Sequence, residues 1–518
     1  MISTGSMAPG LLGYHKRVTC PTCNYEFSHG VPVDTPSPDE TEVPPAAVLT
    51  HCPNCGQDRI DISQVPRNQG DQLLVNKHAF QLHAPRRWEV VVFKNPHNAT
   101  QVYVKRIVGL PLETVQVIDG DVFINNRRSR KTMAQQRAIR IPVYDHDFEP
   151  RSDLEWQPRW VADRDASWQR HDRGFVFRPE RAVSQQPLTA TMDWIDYRHW
   201  RRSGGSHRTT IPLAVAPPEL DQRLRAATIG QPLDATHRRC PVSWDRSGSQ
   251  LICTGVMDRR WRDKLLTLST DANFQSAVRV LHEESHIGQI SSSNGYNHHA
   301  HLMPTTSLRD VMISLNITLG QVHGQLAVRF NDMPHRYTCV LDFDRSRLAL
   351  LTDSQTEPLR QCALPEPARV NRYLLEVSLF DRQFAVAVDG QDIVASVALP
   401  PAADEADPAK VPIQIGGLAL DARIDKLQTF CDVYYTRGKA INGIDQPHVL
   451  AQDEYFMLGD NSAVSADSRN WPQGSVQKRL LVGKPFVVHL PSRPGKLRIG
   501  GSWTHFRIPD FSRVRYIR

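Results

Sequence analysis

The stretch Tyr103-Val104-Lys105-Arg106-Ile107-Val108-Gly109-Leu110-Pro111 places a lysine inside a run of β-branched and aromatic residues. Because side chains alternate across a β-strand, Tyr103, Lys105 and Ile107 share one face, and that face is partly apolar. An apolar site disfavours the charged form of a lysine and lowers its pKa. The stretch therefore predicts a strand whose face suits a desolvated lysine, although a single lysine in a strand is more often a solvated edge residue.

Short β-rich runs surround this strand and predict a compact antiparallel β unit. Asp119-Gly120 separates two of these runs and is typical of a hairpin turn. The 37 prolines of the chain favour strands and loops over long helices. The sequence as a whole thus predicts a mainly β fold. The runs lie at residues 73–75, 90–93, 102–104, 115–118 and 122–124.

A second β pattern begins near residue 305. Apolar residues occupy every second position from 311 to 319, as in a strand with one buried face. Further strand-like runs continue to residue 394, and Asp389-Gly390 gives another hairpin signal. These runs predict a two-sheet sandwich at 305–436, and their style resembles the concanavalin/laminin-G-like jelly rolls. Residues 132–304 show little periodicity and are left as an insertion of unassigned fold; their histidine-rich tract at 298–301 is interpreted as a polar loop.

Two cysteine pairs, Cys20-Pro21-Thr22-Cys23 and Cys52-Pro53-Asn54-Cys55-Gly56, form matched knuckle motifs. Four thiolates suit tetrahedral zinc, and four protein ligands leave no open position for catalysis. The gap of 28 residues between Cys23 and Cys52 is longer than the most common spacing. We therefore predict a structural zinc ribbon at residues 14–60, held by Cys20, Cys23, Cys52 and Cys55, with disulfides or free thiols as the alternatives.

Composition limits the remaining possibilities. A chain of 518 residues is long enough for several domains. The net charge of +7 is spread along the chain; it suits a solvated surface or contact with anionic lipid, and no nucleic-acid-binding motif accompanies it. No run approaches the roughly 18 apolar residues that span a bilayer. The few residues before Ser6 leave no room for a cleavable signal peptide.

Three separated segments supply a serine, this lysine and a polar loop. The first is Ser6-Met7-Ala8-Pro9, the second contains Lys105, and the third is Gly459-Asp460-Asn461-Ser462 continued by Ser465-Ala466-Asp467-Ser468-Arg469-Asn470-Trp471. Together they resemble the sequence blocks of the bacterial type I signal peptidases, the membrane-surface serine proteases that remove signal peptides from exported proteins. A serine or a lysine without the other two segments would not indicate a protease.

The resemblance implies a serine/lysine dyad without a catalytic cofactor. Ser6 would attack the scissile carbonyl, and Lys105 would take its proton and return it to the leaving amine. The backbone N–H of Ser6 and the hydroxyl of Thr4 would stabilise the oxyanion. Gly10 stands where the family usually has Thr, a departure in the turn that follows the serine.

The third segment would support the lysine. By the resemblance, Ser465 orients the lysine amine, Asp467 and Arg469 form an ion pair, and Asp460 braces the loop. Pro472 stands where Gly is usual in the family. Without the other two segments, the same residues would be typical of an ordinary polar turn.

The segments at 70–77 and 88–96 resemble the family's peptide-binding strands. Such strands bind an extended substrate by strand addition and shape small pockets, which implies cleavage after Ala-x-Ala sites. The implied partners are secretory preproteins and the lipid surface, at the outer side of the bacterial cytoplasmic membrane. The transmembrane helix that normally precedes the serine is missing. An upstream start or a truncated chain is the favoured explanation, and attachment without a helix is the third.

These predictions divide the chain into a catalytic core at 1–131 and 437–518 that is interrupted by the ribbon, the unassigned insertion and the sandwich. Two other functions remain open. A self-cleaving Ser/Lys protease of the repressor type would use the same chemistry. A binding protein would use the sandwich to recognise a glycan or a protein, with an inactive core.

Overall fold

The computed structural model describes residues 1–32, 48–153, 156–163, 166–178, 192–202, 205, 208–229, 238–297, 306–367, 369–401, 409–489, 492–499 and 502–517, so the tract at 298–301 lies outside it. Antiparallel sheets dominate, which confirms the predicted mainly β class. Within these ranges no helix is both long and apolar enough to cross a bilayer. The α-helices are Ala79–Leu82, Met133–Ile139, Leu220–Ala226, Arg259–Leu266 and Ala272–His286, and the 3-10 helices are His146–Phe148, Lys478–Leu480 and Phe511–Arg513.

The core unit, which we define as the sheets formed by residues 72–128 and 448–516, combines strands from two segments that are far apart in the sequence. The lysine strand, Asn98–Gly109, lies in its seven-stranded sheet. Asp119 and Gly120 both adopt positive φ, as the predicted hairpin turn requires. In spatial order the larger sheet contains Val476–Gln477, Glu454–Leu458, Asn98–Gly109, Val90–Asn95, Leu481–His489 and Arg515–Tyr516, with Gln72–Asn76 also paired to Leu481–His489; the smaller sheet contains Arg127–Arg128, Asp121–Ile124, Thr114–Ile118 and His448–Val449, and Ser492–Ile499 forms a separate hairpin with Ser502–Pro509.

Two large sheets pack face to face as a sandwich. The rings of Phe330 and Phe384, one from each sheet, lie 5.9 Å apart in a shared apolar core. Burial of both inner faces is the main stabilising contribution of such an arrangement. One sheet is ordered Trp168–His171, Gly174–Phe177, Asp421–Cys431, Val311–Gln321, Arg372–Phe380, Gln383–Val388 and Gln391–Ala398, with Ile141–Asp145 beside Asp421–Cys431; the other is ordered Trp160–Ala162, Asp193–Tyr197, Ile413–Leu418, Gln325–Asp332, His335–Asp342, Arg347–Thr352 and Arg360–Ala363.

The sandwich begins earlier than the predicted boundary at residue 305. Five of its strands, between residues 141 and 197, come from the insertion that the sequence left unassigned. The strand Gly174–Phe177, for example, pairs with Asp421–Cys431 more than two hundred residues later. The strands Trp160–Ala162, Trp168–His171 and Gly174–Phe177 have only three or four residues each, too few for a period of two to be recognised in the sequence.

Residues 208–286 form a small αβ unit with its own apolar core. Helices Arg259–Leu266 and Ala272–His286 begin at Asp258 and Asp271, whose side chains accept backbone hydrogen bonds as N-caps. Trp261, Phe274 and other buried residues pack these helices against a three-stranded sheet. That sheet is ordered Arg208–Pro212, Gln250–Thr254 and Val242–Asp245, and Thr228–Ile229 pairs with Arg238–Arg239 nearby.

The cysteine ribbon, residues 14–32 and 48–68, lies between the N-terminal segment and the sandwich. Asn54 in its second knuckle donates to the carbonyls of Asp145 and Phe148 and accepts from the Asp145 N–H at 2.7 Å. The ring of Tyr25 packs edge-on against Phe148 at 5.3 Å. The ribbon is therefore fixed to the sandwich by polar and aromatic contacts. Its strands are Glu26–Gly30, His15–Thr19 and Arg67–Asn68, with Leu49–Thr50 paired to Ile60–Asp61.

A buried charge cluster joins the core unit to the sandwich. Lys131, which follows the small sheet of the core unit, forms ion pairs with Asp381 at 2.5 Å and Asp432 at 2.8 Å. Its ammonium also lies 4.7 Å from the ring centre of Trp88. All three charged side chains are almost fully buried, so the pairing fixes how the two units meet.

Candidate active site

The Ser6 turn, which we define as residues 3–11, holds the predicted nucleophile in a compact loop. Hydrogen bonds from Ala8 N to Gly5 O at 3.1 Å and from Leu11 N to Met7 O at 2.8 Å close it. The side chain of Ser6 is buried, and its Oγ accepts a long hydrogen bond of 3.5 Å from Thr4 Oγ1. The hydroxyl predicted to help at the oxyanion therefore lies beside the predicted nucleophile.

Lys105 lies on an apolar face of the lysine strand. Val91 lies opposite it in the neighbouring strand, and Ile107, two residues along, lies opposite Met457. These three apolar side chains are fully buried, and Lys105 itself is only 3% exposed. The face proposed from the alternation of residues is thus present, and it removes the ammonium from water.

The environment of Lys105 favours the neutral amine. Burial lowers the pKa of Lys105 from 10.5 to about 8, with Asp467 opposing and Arg469 reinforcing this shift. The amine donates a 3.0 Å hydrogen bond to Ser465 Oγ. Within the described residues no carboxylate lies within 4.0 Å of it. A base that is neutral near pH 8 is the group that a serine nucleophile needs.

The Ser6 turn meets the polar loop, residues 459–471, at Gly459. A Cβ on Gly459 would lie 2.2 Å from Ser465 Oγ and 2.6 Å from the Ser6 carbonyl oxygen, so glycine is required for this approach. The loop also binds the turn directly, since Asn461 N donates to Ser6 O at 3.0 Å. Ser6 Oγ and Lys105 Nζ, both in the described part of the chain, make no hydrogen bond to each other. Catalytic hydrogen bonds are often long before substrate binds.

An ion pair shapes the polar loop behind Ser465. Arg469 donates through Nε and a terminal nitrogen to both oxygens of Asp467, each at 2.9 Å. Asp467 also accepts a hydrogen bond of 3.0 Å from the Gly459 N–H. Arg469 also donates to Ser462 Oγ at 2.7 Å. Because every one of these groups is buried, the pair fixes the loop conformation that presents Ser465 to the amine.

The start of the loop is held by a second buried pair. Arg106 donates to both oxygens of Asp460 at 2.8 and 2.6 Å, and to the Trp88 carbonyl at 2.6 Å. Arg106 follows Lys105 in the strand, so its side chain leaves from the opposite face. The sequence assigned Asp460 a bracing role but missed Arg106, although the alternation of faces was a usable signal.

Sequence reasoning also missed the residues that the insertion supplies. Asn297 pairs with Asn461, and Tyr296 packs against the Ser6 turn. Both belong to the segment left without an assigned fold. An isolated asparagine in a loop gives no sequence signal for such a contact.

The sheet that contains the lysine strand has open strand edges. Among the described strands, Gln72–Asn76 is paired only with Leu481–His489, and Asn98–Gly109 meets Glu454–Leu458 only through residues 106–109. These edges offer unpaired backbone groups for strand addition. Val90–Asn95 is paired along its length with the lysine strand and with Leu481–His489 only at Val92 and Phe93, and the substrate-binding role expected for 88–96 stays a prediction.

The four cysteines of the ribbon converge on one point. Cys20 Sγ lies 3.6 Å from Cys55 Sγ, Cys23 Sγ lies 3.7 Å from Cys52 Sγ, and all four sulfurs fall within 4.8 Å of one another. Four sulfurs placed tetrahedrally at about 2.3 Å from zinc would be about 3.8 Å apart. The separations fit this arrangement, and the four cysteines are compatible with a metal site.

Comparisons with known proteins agree with the site. A family model described as "Signal peptidase, peptidase S26" matches residues 64–184 and 385–490, which include Lys105 and the polar loop but not Ser6. Signal peptidase I of Leptolyngbya laminosa is 29% identical over 125 residues, covering 21% of this chain and 54% of that protein. The Rickettsia massiliae enzyme is 40% identical over 48 residues (9% and 18%), and signal peptidase I V of Bacillus subtilis is 35% identical over 60 residues (12% and 34%). The chain thus spans about half or less of the length of these relatives.

Solved structures resemble the chain only weakly. A carbohydrate-binding module from Bacillus subtilis is 15% identical, with 23% of this chain and 74% of that chain covered and a TM-score of 0.17. A galectin from Caenorhabditis elegans is 12% identical (24% and 81%) with a TM-score of 0.18. We draw no conclusion from likenesses at these TM-scores. The family match falls on the segments that hold the lysine strand and the polar loop, and in these segments the chain is similar to the signal peptidases of peptidase family S26.

Proposed function

We propose that this protein is a serine endopeptidase that removes N-terminal signal peptides from exported preproteins after small residues of the Ala-x-Ala type. The observation that carries the proposal is the buried Lys105 amine, held by Ser465 with a pKa lowered to about 8. An unpaired lysine on an apolar face is costly to keep unless its neutral form is used. The similarity to the signal peptidase family model supports the same chemistry.

The proposed reaction uses one proton carrier. Neutral Lys105 takes the proton from Ser6 Oγ as that oxygen bonds to the scissile carbonyl carbon. The tetrahedral intermediate collapses by breaking the C–N bond, and the leaving amine receives the proton from Lys105. Water then gives a proton to the same amine as it bonds to the acyl carbon, the bond from that carbon to Ser6 Oγ breaks, and Ser6 Oγ takes the proton back from Lys105. The Ser6 N–H and the Thr4 hydroxyl would donate to the oxyanion.

Substrate binding would use the open strand edges. The free edge of Gln72–Asn76 and the unpaired part of Asn98–Gly109 offer main-chain hydrogen bonds to an extended peptide that ends at Ser6. Exposed apolar residues on the core unit, among them Leu82 (80% exposed) and Tyr516 (81%), give it a surface suited to lipid contact. We therefore place the reaction at a membrane surface, on the outer side of the cytoplasmic membrane.

The decisive experiment is cleavage of an Ala-x-Ala preprotein in detergent or lipid by the wild-type chain, Ser6→Ala and Ser3→Ala. We expect the wild type and Ser3→Ala to cleave at the predicted bond, because Ser3 is exposed and its backbone carbonyl, which the substitution keeps, is the group that accepts from Tyr14 N. Ser6→Ala should be inactive because it lacks the attacking oxygen.

A folded but inert wild type would contradict the proposal, and an active Ser6→Ala would exclude Ser6 as the nucleophile. Incubating the chain without substrate tests the self-cleaving alternative, since a repressor-type protease would cut itself.

We further propose that Cys20, Cys23, Cys52 and Cys55 hold one structural zinc ion. Elemental analysis of the purified chain should give about one zinc per molecule. Cys52→Ser should lose the zinc because the hydroxyl is a poor substitute for a thiolate ligand. Cys431→Ser, a buried cysteine of the sandwich, is the matched control and should keep it. Stoichiometric zinc in Cys52→Ser would contradict the ligand set.

A further inference from the structure

A segment of the insertion, residues 294–297, packs directly on the Ser6 turn. Asn294 donates to the Ala8 carbonyl at 3.3 Å, and the Tyr296 hydroxyl donates to the Tyr14 carbonyl at 2.9 Å. The Tyr296 ring lies so close to the turn that a Cβ on Gly5 would be 2.3 Å from it. The insertion therefore forms part of the wall behind the nucleophile.

Asn297 in this segment forms a reciprocal amide pair with Asn461 of the polar loop. Asn297 Nδ2 donates to Asn461 Oδ1 at 3.0 Å, and Asn461 Nδ2 donates to Asn297 Oδ1 at 2.6 Å. Both side chains are buried, where a hydrogen bond is electrostatically stronger and an unsatisfied amide is costly. The pair thus fixes the plane of the Asn461 amide.

Asn461 in turn holds both sides of the Ser6 backbone. Its second amide hydrogen is directed to the Gly5 carbonyl at 2.9 Å, and its backbone N–H donates to the Ser6 carbonyl at 3.0 Å. The Gly5 carbonyl and the Ser6 N–H belong to one planar trans peptide and point in opposite directions. A hydrogen bond that fixes the first therefore fixes the direction of the second.

We infer that Asn297 is a positioning residue: by holding the Asn461 amide, it orients the Gly5–Ser6 peptide and with it the N–H that donates to the oxyanion. This inference rests on the proposed function. It assigns the insertion a part in catalysis, because Asn297 lies outside the segments that match the family. Asn297 is not a catalytic residue, since within the described residues the hydrogen bonds of its side chain go to Asn461.

The kinetic test compares Asn297→Ala with Asn316→Ala, a matched change in the sandwich where the amide contacts Asp425. We expect kcat for the Ala-x-Ala preprotein to fall about 10- to 100-fold in Asn297→Ala, as for a misaimed oxyanion donor, with KM unchanged. The pKa seen in the pH profile of kcat should not move, because Asn297 does not contribute to the pKa shift of Lys105. Asn316→Ala should behave as the wild type.

Hydrogen exchange gives a readout that needs no peptidase activity. Amide exchange in residues 3–11 should accelerate in Asn297→Ala and stay at the wild-type rate in Asn316→Ala. If the wild type cleaves nothing, the proposed function fails while this measurement still tests the contact. If Asn297→Ala does not fold, Asn297→Asp keeps the acceptor for Asn461 Nδ2 and should give intermediate exchange and kcat. Unchanged exchange and kcat, or a drop in kcat with a shifted pH profile, would overturn the inference.

Discussion

Replacing Lys105 with Met is expected to abolish cleavage of an Ala-x-Ala preprotein while making the folded protein more stable at pH 7. Activity should fall by at least about 10³-fold, because the nucleophile loses its base while shape and packing are retained. In the wild type, the rate should rise about tenfold per pH unit below pH 8 and level off above it, since only neutral Lys105 accepts the proton. Measuring kcat across pH 6–10 checks both statements.

The stability half of this prediction follows from the direction of the pKa shift. Burial lowers the pKa of Lys105 from 10.5 to about 8, so between these values the unfolded chain binds the proton and the folded chain does not. The cost of the buried charge is about 3 kcal/mol. It is fully present below pH 8 and is lost as the pH rises towards 10.5. The Met variant should therefore unfold at a higher temperature than the wild type at pH 7, with a difference that shrinks towards pH 10.5.

Lys131→Met is the matched control for stability. Lys131 is as buried as Lys105, but it forms ion pairs with Asp381 and Asp432, which raise its pKa. Removing it leaves two buried carboxylates without a cation, so this variant should be less stable than the wild type. The proposed role of Lys105 would be contradicted if both variants changed the stability in the same direction. It would also be contradicted if Lys105→Met kept more than about one hundredth of the wild-type activity.

Local patterns predict the strands of the core unit and the environment of the lysine. A two-residue period places Lys105, Tyr103 and Ile107 on one face wherever the strand is paired, because the pleat itself imposes it. The same holds for the cysteine knuckles, since two short motifs with the same Cys-Pro-x-Cys spacing each present two thiols on one turn. The convergence of all four sulfurs is a tertiary contact that the spacing implied.

Long-range pairings set the limit of prediction. The strand Trp160–Ala162 lies beside Asp193–Tyr197, which in turn pairs with Ile413–Leu418. The sequence near residue 160 does not indicate so distant a partner, because a strand of three residues is stabilised mainly by the sheet that it joins. The sandwich boundary was misplaced for this reason.

Single residues near the nucleophile show the same limit, because their long-range contacts cannot be predicted from the local sequence. Asn297 acquires its importance from Asn461, which lies 164 positions along the chain. Arg106 is different, because its neighbour Lys105 fixes the face from which it leaves. An arginine on the opposite face of a buried strand requires a carboxylate partner, and Asp460 was the available acidic residue of the loop.

The second large effect is expected for Asp460→Ala. Arg106 and Asp460 are only 3% and 5% exposed, and arginine does not lose its charge in proteins. Removing the carboxylate leaves the guanidinium buried with the Trp88 carbonyl as its remaining hydrogen-bond acceptor among the described residues, which should cost about 3–5 kcal/mol of unfolding free energy. Activity should fall as well, because the same loop holds the Ser6 turn through Asn461. Denaturant unfolding and kcat measure the two effects.

An exposed ion pair in the same chain has similar hydrogen-bond geometry and serves as a control for the effect of burial. Arg437 and Asp445 form a bidentate pair at 2.8 and 2.7 Å, but their side chains are 66% and 68% exposed. Asp445→Ala should therefore cost no more than about 1 kcal/mol. A double change, Arg106→Met with Asp460→Leu, should recover most of the stability lost in Asp460→Ala, since apolar residues of similar size replace buried pairs well. If Asp460→Ala were as mild as Asp445→Ala, the loop would be held by the Asp467–Arg469 pair alone, and the brace assigned to Asp460 would be wrong.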